Sequence, residues 1–280
     1  MTGKVLVLGA TGTIGRPLVK ALLAKGAAVK AASRSGGPVE GAEGVAFDFA
    51  DPATFGPALE GADRLFLMLP TGNTAITELL MPVVEAAVAR RVKVVFLSVL
   101  GANADESIPY RQVELALERS GVPYVVLRPN WFADNFLNFW KPGIDHAGVI
   151  AVPAGEGKSS FIDTRDIADS AAAALTSDRF DGAAYDLTGP EALGYDAAAD
   201  ILAAALGKPV AYQAVDDATF IGILTGAGVP ADYAAFLASI FYPVREGWTA
   251  VVTGDVERLT GHAPRTLAGW VADNVAALKA

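Results

Sequence analysis

The stretch "KVLVLGATGTIGRPLVKALLAKG" constrains this chain more than any other. A short apolar run, Val5 to Leu8, leads straight into glycines at 9, 12 and 15, and a helical apolar pattern then runs to Gly26. Glycines at such positions allow a tight turn, let the backbone approach a pyrophosphate, and let the helix pack closely on the strand. The first turn of the helix offers unpaired N–H groups that attract phosphate. A glycine triplet alone is a weak sign. In strand–turn–helix order it points to a bound dinucleotide rather than to a simple tight turn.

The next hundred residues repeat the alternation. "AVKAAS" (28–33), "GVAFDF" (44–49), "RLFLMLP" (64–70), "KVVFLSVL" (93–100) and "PYVVLRP" (123–129) read as strands. Helical stretches at 52–61, 73–91 and from Pro109 to just before Gly121 separate them. Near-continuous apolar strands between helices predict an α/β fold, a doubly wound parallel Rossmann sheet covered on both faces. After residue 130 the pattern changes. "NWFADNFLNFW" (130–140) is aromatic-rich and irregular, and "GVIAVPAGEGKSSFID" (148–163) is turn-rich and hairpin-like. A helix over 165–177 and a strand over 183–189 return the chain to the sheet, and helical segments carrying Phe220, Tyr233, Phe236, Phe241 and Tyr242 follow. The expectation is a nucleotide-binding domain over 1–130, completed by about 163–189. A smaller, mostly helical lobe for substrate then comes from 131–162 and 190–280.

Composition removes several function classes. With 52% hydrophobic and 19% charged residues over 280 positions, the chain has enough apolar side chains for a large core. A net charge of −9, with no dense Lys/Arg cluster, argues against nucleic acid. The absence of cysteine excludes disulfides, thiolate metal sites and cysteine nucleophiles. His146 and His262 lie far apart and read as loop or surface residues, so no metal site is expected. The longest apolar stretch, 233–244, is shorter than the roughly 20 residues that span a bilayer. The structured pattern starts at residue 4, which leaves no room for a signal peptide. The reading is a soluble, cytoplasmic monomer or homodimer with no membrane partner.

The end of the second strand selects the cofactor. An acid there would bind ribose hydroxyls, whereas an arginine accommodates a 2′-phosphate. The sequence has Ser33, Arg34 and Ser35, with no acid until Glu40. Arg34 stands near the offset of about 20 residues beyond the glycine loop, and its planar donor fork suits a phosphate. NADPH is therefore favoured over NADH, a solvated turn arginine being the other reading. Asp48, from "FDFAD", can accept from an adenine amino group or serve as a loop carboxylate. Asp51, just before Pro52, reads as a helix cap.

The segments "GATGTIGRPLVKALL", "ERSGVPYVVLRPNWFADNF", "FIDTRDIADSAAAAL" and "LTGHAPRTLAGWVADN", with the Arg34 turn, resemble the NmrA-like atypical short-chain dehydrogenase/reductases. Within them the likeness is to the bacterial NADPH-dependent quinone, azo-dye and triphenylmethane-dye reductases. It covers nearly the whole chain. The resemblance implies an NADP-binding domain with a small C-terminal lobe forming a substrate cleft. It implies a pyrophosphate loop of Gly9, Thr11, Gly12, Thr13 and Ile14, with Arg34 at the 2′-phosphate. It implies Leu69, Pro70 and Thr71, and Ser98 to Gly101, beside the nicotinamide ribose, and Pro129, Asn130, Trp131 and Phe132 beside the nicotinamide. In "FIDTRDIAD", Asp163 or Thr164 reads as a helix cap and Asp166 as a first-turn acid, a structural motif.

"YRQVE" limits the chemistry. Many nicotinamide-dependent reductases carry a lysine four residues after a tyrosine, and here that position is Glu114. Tyr110, Val113, Glu114 and Leu117 share one helical face, with Arg111, Leu115, Glu118 and Arg119 on the other side. A lysine would lower the phenol pKa from its usual value of about 10; a carboxylate does the reverse. Tyr110 therefore reads as a protonated hydrogen-bond donor rather than a base. A carboxylate on an apolar face also needs a backbone N–H, a hydroxyl or a cation as partner. Alcohol–ketone interconversion and sugar-nucleotide epimerisation need a tuned acid/base, and both lose weight. Quinones, azo dyes, cationic dyes and iminium ions need only hydride. Trp131, Phe132, Phe136 and Phe241, with Phe139 and Trp140, would suit such flat acceptors, or else serve as packing between lobes. The leading reading is an NADPH-dependent reductase of planar, electron-poor aromatic or quinonoid molecules. The alternative is a non-catalytic NADP(H)-sensing regulator of the NmrA type.

Overall fold

The computed structural model describes residues 3–280. In chain order the first part runs β1 (Lys4–Val7), α1 (Gly15–Ala24), β2 (Val29–Ser33), β3 (Glu43–Ala46), α2 (Phe55–Leu59), β4 (Ala62–Leu67), α3 (Ile76–Ala89), β5 (Lys93–Leu97), α4 (Pro109–Arg119) and β6 (Tyr124–Pro129). Then come α5 (Asn135–Asn138), α6 (Lys141–Ala147), β7 (Val149–Val152), β8 (Lys158–Ser159), α7 (Thr164–Thr176) and β9 (Ala183–Leu187). The last part holds β10 (Leu193–Gly194), α8 (Tyr195–Leu206), β11 (Ala211–Ala214), α9 (Asp217–Gly226), α10 (Ala231–Ser239) and α11 (Tyr242–Arg245). Helices α12 (Asp255–Thr260) and α13 (Leu267–Lys279) close the chain.

Two compact units emerge. The first comprises 1–129, 164–187 and 255–262; the second comprises 130–163, 188–254 and 263–280.

The first unit is a seven-stranded parallel sheet in the order β3-β2-β1-β4-β5-β6-β9, which is the doubly wound α/β architecture. The order reverses between β1 and β4. Right-handed crossovers then place α1, between β1 and β2, and α3, between β4 and β5, on opposite faces. The helix packing agrees: α1 packs on α7 and α7 on α12, while α2 packs on α3 and α3 on α4. Alternation along β1 supplies both faces. Leu6 and Leu8 join Leu65, Leu67, Val94 and Phe96 in a core shared with Leu80, Val84, Val113 and Leu117. Burying side chains of that size contributes about 1.5–3 kcal/mol each.

The second unit has its own core, built around Phe136, Ile150, Val152, Phe161, Tyr195, Leu202, Phe241 and Trp270. Here the structure departs from the hairpin-like reading of 148–163. Strand β7 pairs in parallel with β11, and β8 pairs antiparallel with β10, so neither strand pairs with the other. The partner of β7 lies about sixty residues on, and no turn residue announces such a pairing. Among the described residues, no helix is long and apolar enough to cross a membrane.

Candidate functional site

The glycine loop is set by hydrogen bonds to both neighbouring strands. Leu8 N–H donates to the Phe66 carbonyl (3.2 Å) and Ala10 N–H to that of Ala32 (3.2 Å). Gly9 takes φ +66°, the left-handed region that favours glycine. Gly12 N–H donates to Gly9 O at 2.9 Å, closing the turn. A Cβ on Gly15 would stand 2.0 Å from Gly9 O and 2.7 Å from Ala10 Cα, so only glycine lets α1 start this close to the loop. Thr11, Gly12 and Thr13 are exposed, whereas Ile14 is buried and plugs the loop from below. The first turn of α1 carries no acid and no side-chain cap. Arg16 N–H is taken by Gly12 O and Pro17 has none, so the donors that a pyrophosphate requires would come from the exposed loop backbone leading into Gly15, and the residues present fit a dinucleotide.

Arg16, which sequence reasoning missed, donates from Nε to Thr11 O at 2.7 Å and so brings a cation to the loop. The signal was an arginine directly after the third glycine. Arg34 is exposed one residue past the end of β2. Asp48 is half-buried; its Oδ1 accepts from Ala50 N–H at 2.9 Å, and its own N–H donates to Thr54 Oγ1 at 3.1 Å. Asp51 caps the following turn through Ala53 N–H. Beyond β4, Leu69 is buried and Pro70 is exposed, the Pro70 carbonyl accepting from Asn73 Nδ2 at 2.9 Å.

At the ends of β5 and β6 lies a tightly bonded cluster. Glu114, on α4, has 0% of its surface exposed. Its Oε1 accepts from Ser98 Oγ (2.6 Å) and Arg128 Nε (2.9 Å), and its Oε2 accepts from Arg128 Nη2 (2.7 Å) and Arg111 Nη1 (3.0 Å). Burial would raise this carboxyl's pKa. The bonds from Arg128 and Ser98, the Arg128 charge and the Arg111 bond outweigh burial and hold it below the usual carboxylate value. Both kinds of partner that the sequence demanded, a hydroxyl and a cation, are present. Arg111 differs from expectation. Assigned to the other side of the helix, it bridges Glu114, three residues on, and Glu118, seven residues on. Ser98, expected beside the nicotinamide ribose, donates its hydroxyl to Glu114. Tyr110 is half-buried, with its ring stacked on Phe96 at 6.2 Å between centroids. The charge that sequence alone set beside Tyr110 is shared with two arginines.

In the second unit Asn130 is buried and fully engaged. Its Nδ2 donates to Ser160 Oγ (2.6 Å) and Thr249 O (2.7 Å), and its Oδ1 accepts from Trp131 N–H (2.8 Å). This carboxamide therefore braces the segment after β6 rather than facing solvent. Phe136 and Phe241 belong to the core: Phe136 packs edge-on against Trp140 (4.7 Å) and Phe161 (5.2 Å), and Phe241 lies 4.6 Å from Trp131. Trp131 and Phe132 are half-buried and Phe139 is exposed. Phe136 and Phe241 thus take part in packing, one of the two roles read for this aromatic set in the sequence.

Helix α7 starts at Thr164 with Asp166 in its first turn. Asp166, Asp169 and His262 bring ligand-type atoms within 4.8 Å of one another, and His262 Nε2 lies 3.4 Å from Asp169 Oδ2.

An uncapped helix behind a glycine loop, at the reversal point of a doubly wound sheet with an arginine past β2, defines a dinucleotide-binding protein. Residues 1–258 match the NmrA-like family, and the chain belongs to it. It is 33% identical to the uncharacterized oxidoreductase YesF of Bacillus subtilis, over 97% of this chain and 95% of that protein. It is 31% identical to the NAD(P)H azoreductase of Xenophilus azovorans, over 99% of each. The crystal structure of the NADPH-dependent quinone oxidoreductase of Escherichia coli complexed with NADPH superposes with a TM-score of 0.85. That match is at 26% identity, covering 97% of this chain and 99% of that one.

Proposed function

We propose that the protein uses NADPH to reduce planar, electron-poor small molecules by direct hydride transfer, with quinones and azo or cationic dyes as the acceptor class. The chain is an NAD(P)H-dependent oxidoreductase of the NmrA-like family, similar along its whole length to an azoreductase and a quinone oxidoreductase. When bound, the cofactor supplies the hydride. The backbone of Thr11 to Thr13 and the start of α1 would hold its pyrophosphate, and Arg34, with Arg16 nearby, its 2′-phosphate.

The finer reading is carried by Glu114. Where a Tyr–Lys reductase has its lysine, this chain has a buried carboxylate bonded to Arg128 and Ser98. The position four residues after Tyr110 holds a carboxylate rather than a lysine, so acceptors that need a matched general acid are disfavoured. A quinone takes the hydride at one oxygen or ring carbon and a proton from solvent to become a hydroquinone, which needs no proton relay. Rate enhancement then rests on positioning, which can supply about 7–11 kcal/mol. In the test, purified protein oxidises NADPH, followed at its nicotinamide absorbance, with and without a simple benzoquinone, an azo dye and a cationic triarylmethane dye. Acceleration by at least one acceptor supports the reading. Tight NADPH binding without acceleration by any of the three would favour a cofactor-sensing regulator.

A further inference from the structure

We propose that Glu114 is a positioning residue that sets the nicotinamide half of the cofactor site without touching the ligand. This rests on the reading of the protein as an NADPH-binding reductase. A doubly wound sheet binds a dinucleotide across the point where strand order reverses, one mononucleotide half on each side. Here that point lies between β1 and β4. The adenosine half then belongs over β1 to β3 and the nicotinamide half over β4 to β6.

Glu114 ties two tips on the nicotinamide side to a third element. Ser98 stands one residue past β5, Arg128 is the next-to-last residue of β6, and both bond to Glu114 on α4. The two tips are also joined to each other beyond the regular ladder: Ser98 N–H donates to Leu127 O (2.8 Å) and Leu100 N–H to Pro129 O (3.1 Å). The two tips are thus bonded into one piece, and the carboxylate ties that piece to α4. The Ser98 hydroxyl is held by Glu114, and Gly101, three residues on, takes φ +80°. A lysine at this helical position would serve a ligand directly. A carboxylate with no exposed surface serves the strand tips.

The side chains bonded to Glu114 come from the ends of β5 and β6 and from α4, and none of them from β1 to β3, so the expected effect is directional. Replacing Glu114 by glutamine keeps the shape, but one of its two polar atoms becomes a donor facing arginine donors. The tips lose their anchor while β1 to β3 and the glycine loop keep theirs. Calorimetric titration of wild type, Glu114→Gln and Ser98→Ala with NADPH, and separately with adenosine 2′,5′-bisphosphate, tests this. The Kd for NADPH should rise roughly tenfold in Glu114→Gln and a few-fold in Ser98→Ala, the size expected for lost buried hydrogen bonds. The bisphosphate should bind all three proteins within about twofold of one another, on the same scale. Unchanged NADPH affinity in both variants overturns the proposal, and so does equal weakening of the two ligands, which signals general loosening. If Glu114→Gln does not fold, Ser98→Ala decides between these outcomes, because it leaves the Glu114–Arg128 pair in place. Wild-type protein that binds neither ligand would overturn the NADPH reading, and this inference with it, a result distinct from the other two.

Discussion

A carboxylate with no solvent-exposed surface persists only if donors surround it, and three side chains supply them to Glu114. Removing it takes from the buried Arg128 its two short bonds and leaves it the longer contact with Asp186 at 3.7 Å. Glu114→Ala should therefore destabilise the fold by about 3–5 kcal/mol in urea unfolding, the range for breaking a buried pair by deleting one partner. The pH dependence has a fixed sign. The folded-state pKa of Glu114 lies below the usual value, so its contribution is fully present above the unfolded pKa of about 4.3. It is lost as pH falls through the folded value. The stability gap between wild type and Glu114→Gln should be constant from pH 7 to about 5 and should narrow on further acidification, as read by thermal melts. A gap that widens in acid would contradict the assignment. Tyr110 makes a different residue-scale case. Tyr110→Phe keeps the stack on Phe96, and most quinone reduction should survive. A loss of about a thousandfold in kcat would instead make its hydroxyl the acid. Sequence showed the sign of residue 114 and its need for partners. It could not show that Ser98 and Arg128 meet it, because they come from strands that only the sheet brings beside α4.

Among the elements, the β1–loop–α1 unit was readable almost to the residue because its constraints are local. Gly9 needs a positive φ and Gly15 has no room for a Cβ, and both demands are met within a few positions of chain. Gly15→Ala should force the start of α1 away from Gly9 O. The expected result is a destabilisation of about 1–3 kcal/mol, the usual size for overpacking, together with loss of measurable NADPH binding. Gly26→Ala is the control for the loss of glycine: its Cβ would meet nothing within 4 Å, although its φ of +75° still strains the backbone. It should melt lower yet bind NADPH as wild type does. Equal binding losses in the two variants would remove the special role of Gly15. The second unit was less legible for the opposite reason. The pairing of β7 with β11, and the burial of Phe136 and Phe241, depend on partners far along the chain. Composition in such a segment identifies apolar content, while burial is decided by which rings tertiary packing turns inward.

At the scale of the whole molecule the net charge of −9 acts on every charged ligand that approaches. A field of that sign concentrates cations near the surface and depletes anions, and salt removes the effect as the screening length falls to about 10 Å at 0.1 M. Three acceptor types of the proposed class differ in charge and so separate field from pocket. With NADPH held saturating, the KM for a cationic triarylmethane dye should rise several-fold, roughly 3 to 10, between 10 mM and 300 mM salt. The KM for a sulfonated azo dye should fall over the same range, and that for a neutral benzoquinone should stay level. The three trends share one protein and one cofactor, so a change in fold or in NADPH binding would move them together. Parallel shifts in all three would show that salt acts on the protein or the cofactor site. Level KM values for both charged dyes would mean that acceptors meet a locally neutral surface despite the acidic chain. Divergent trends, by contrast, make cationic, flat molecules the acceptors this acidic reductase collects best in dilute salt.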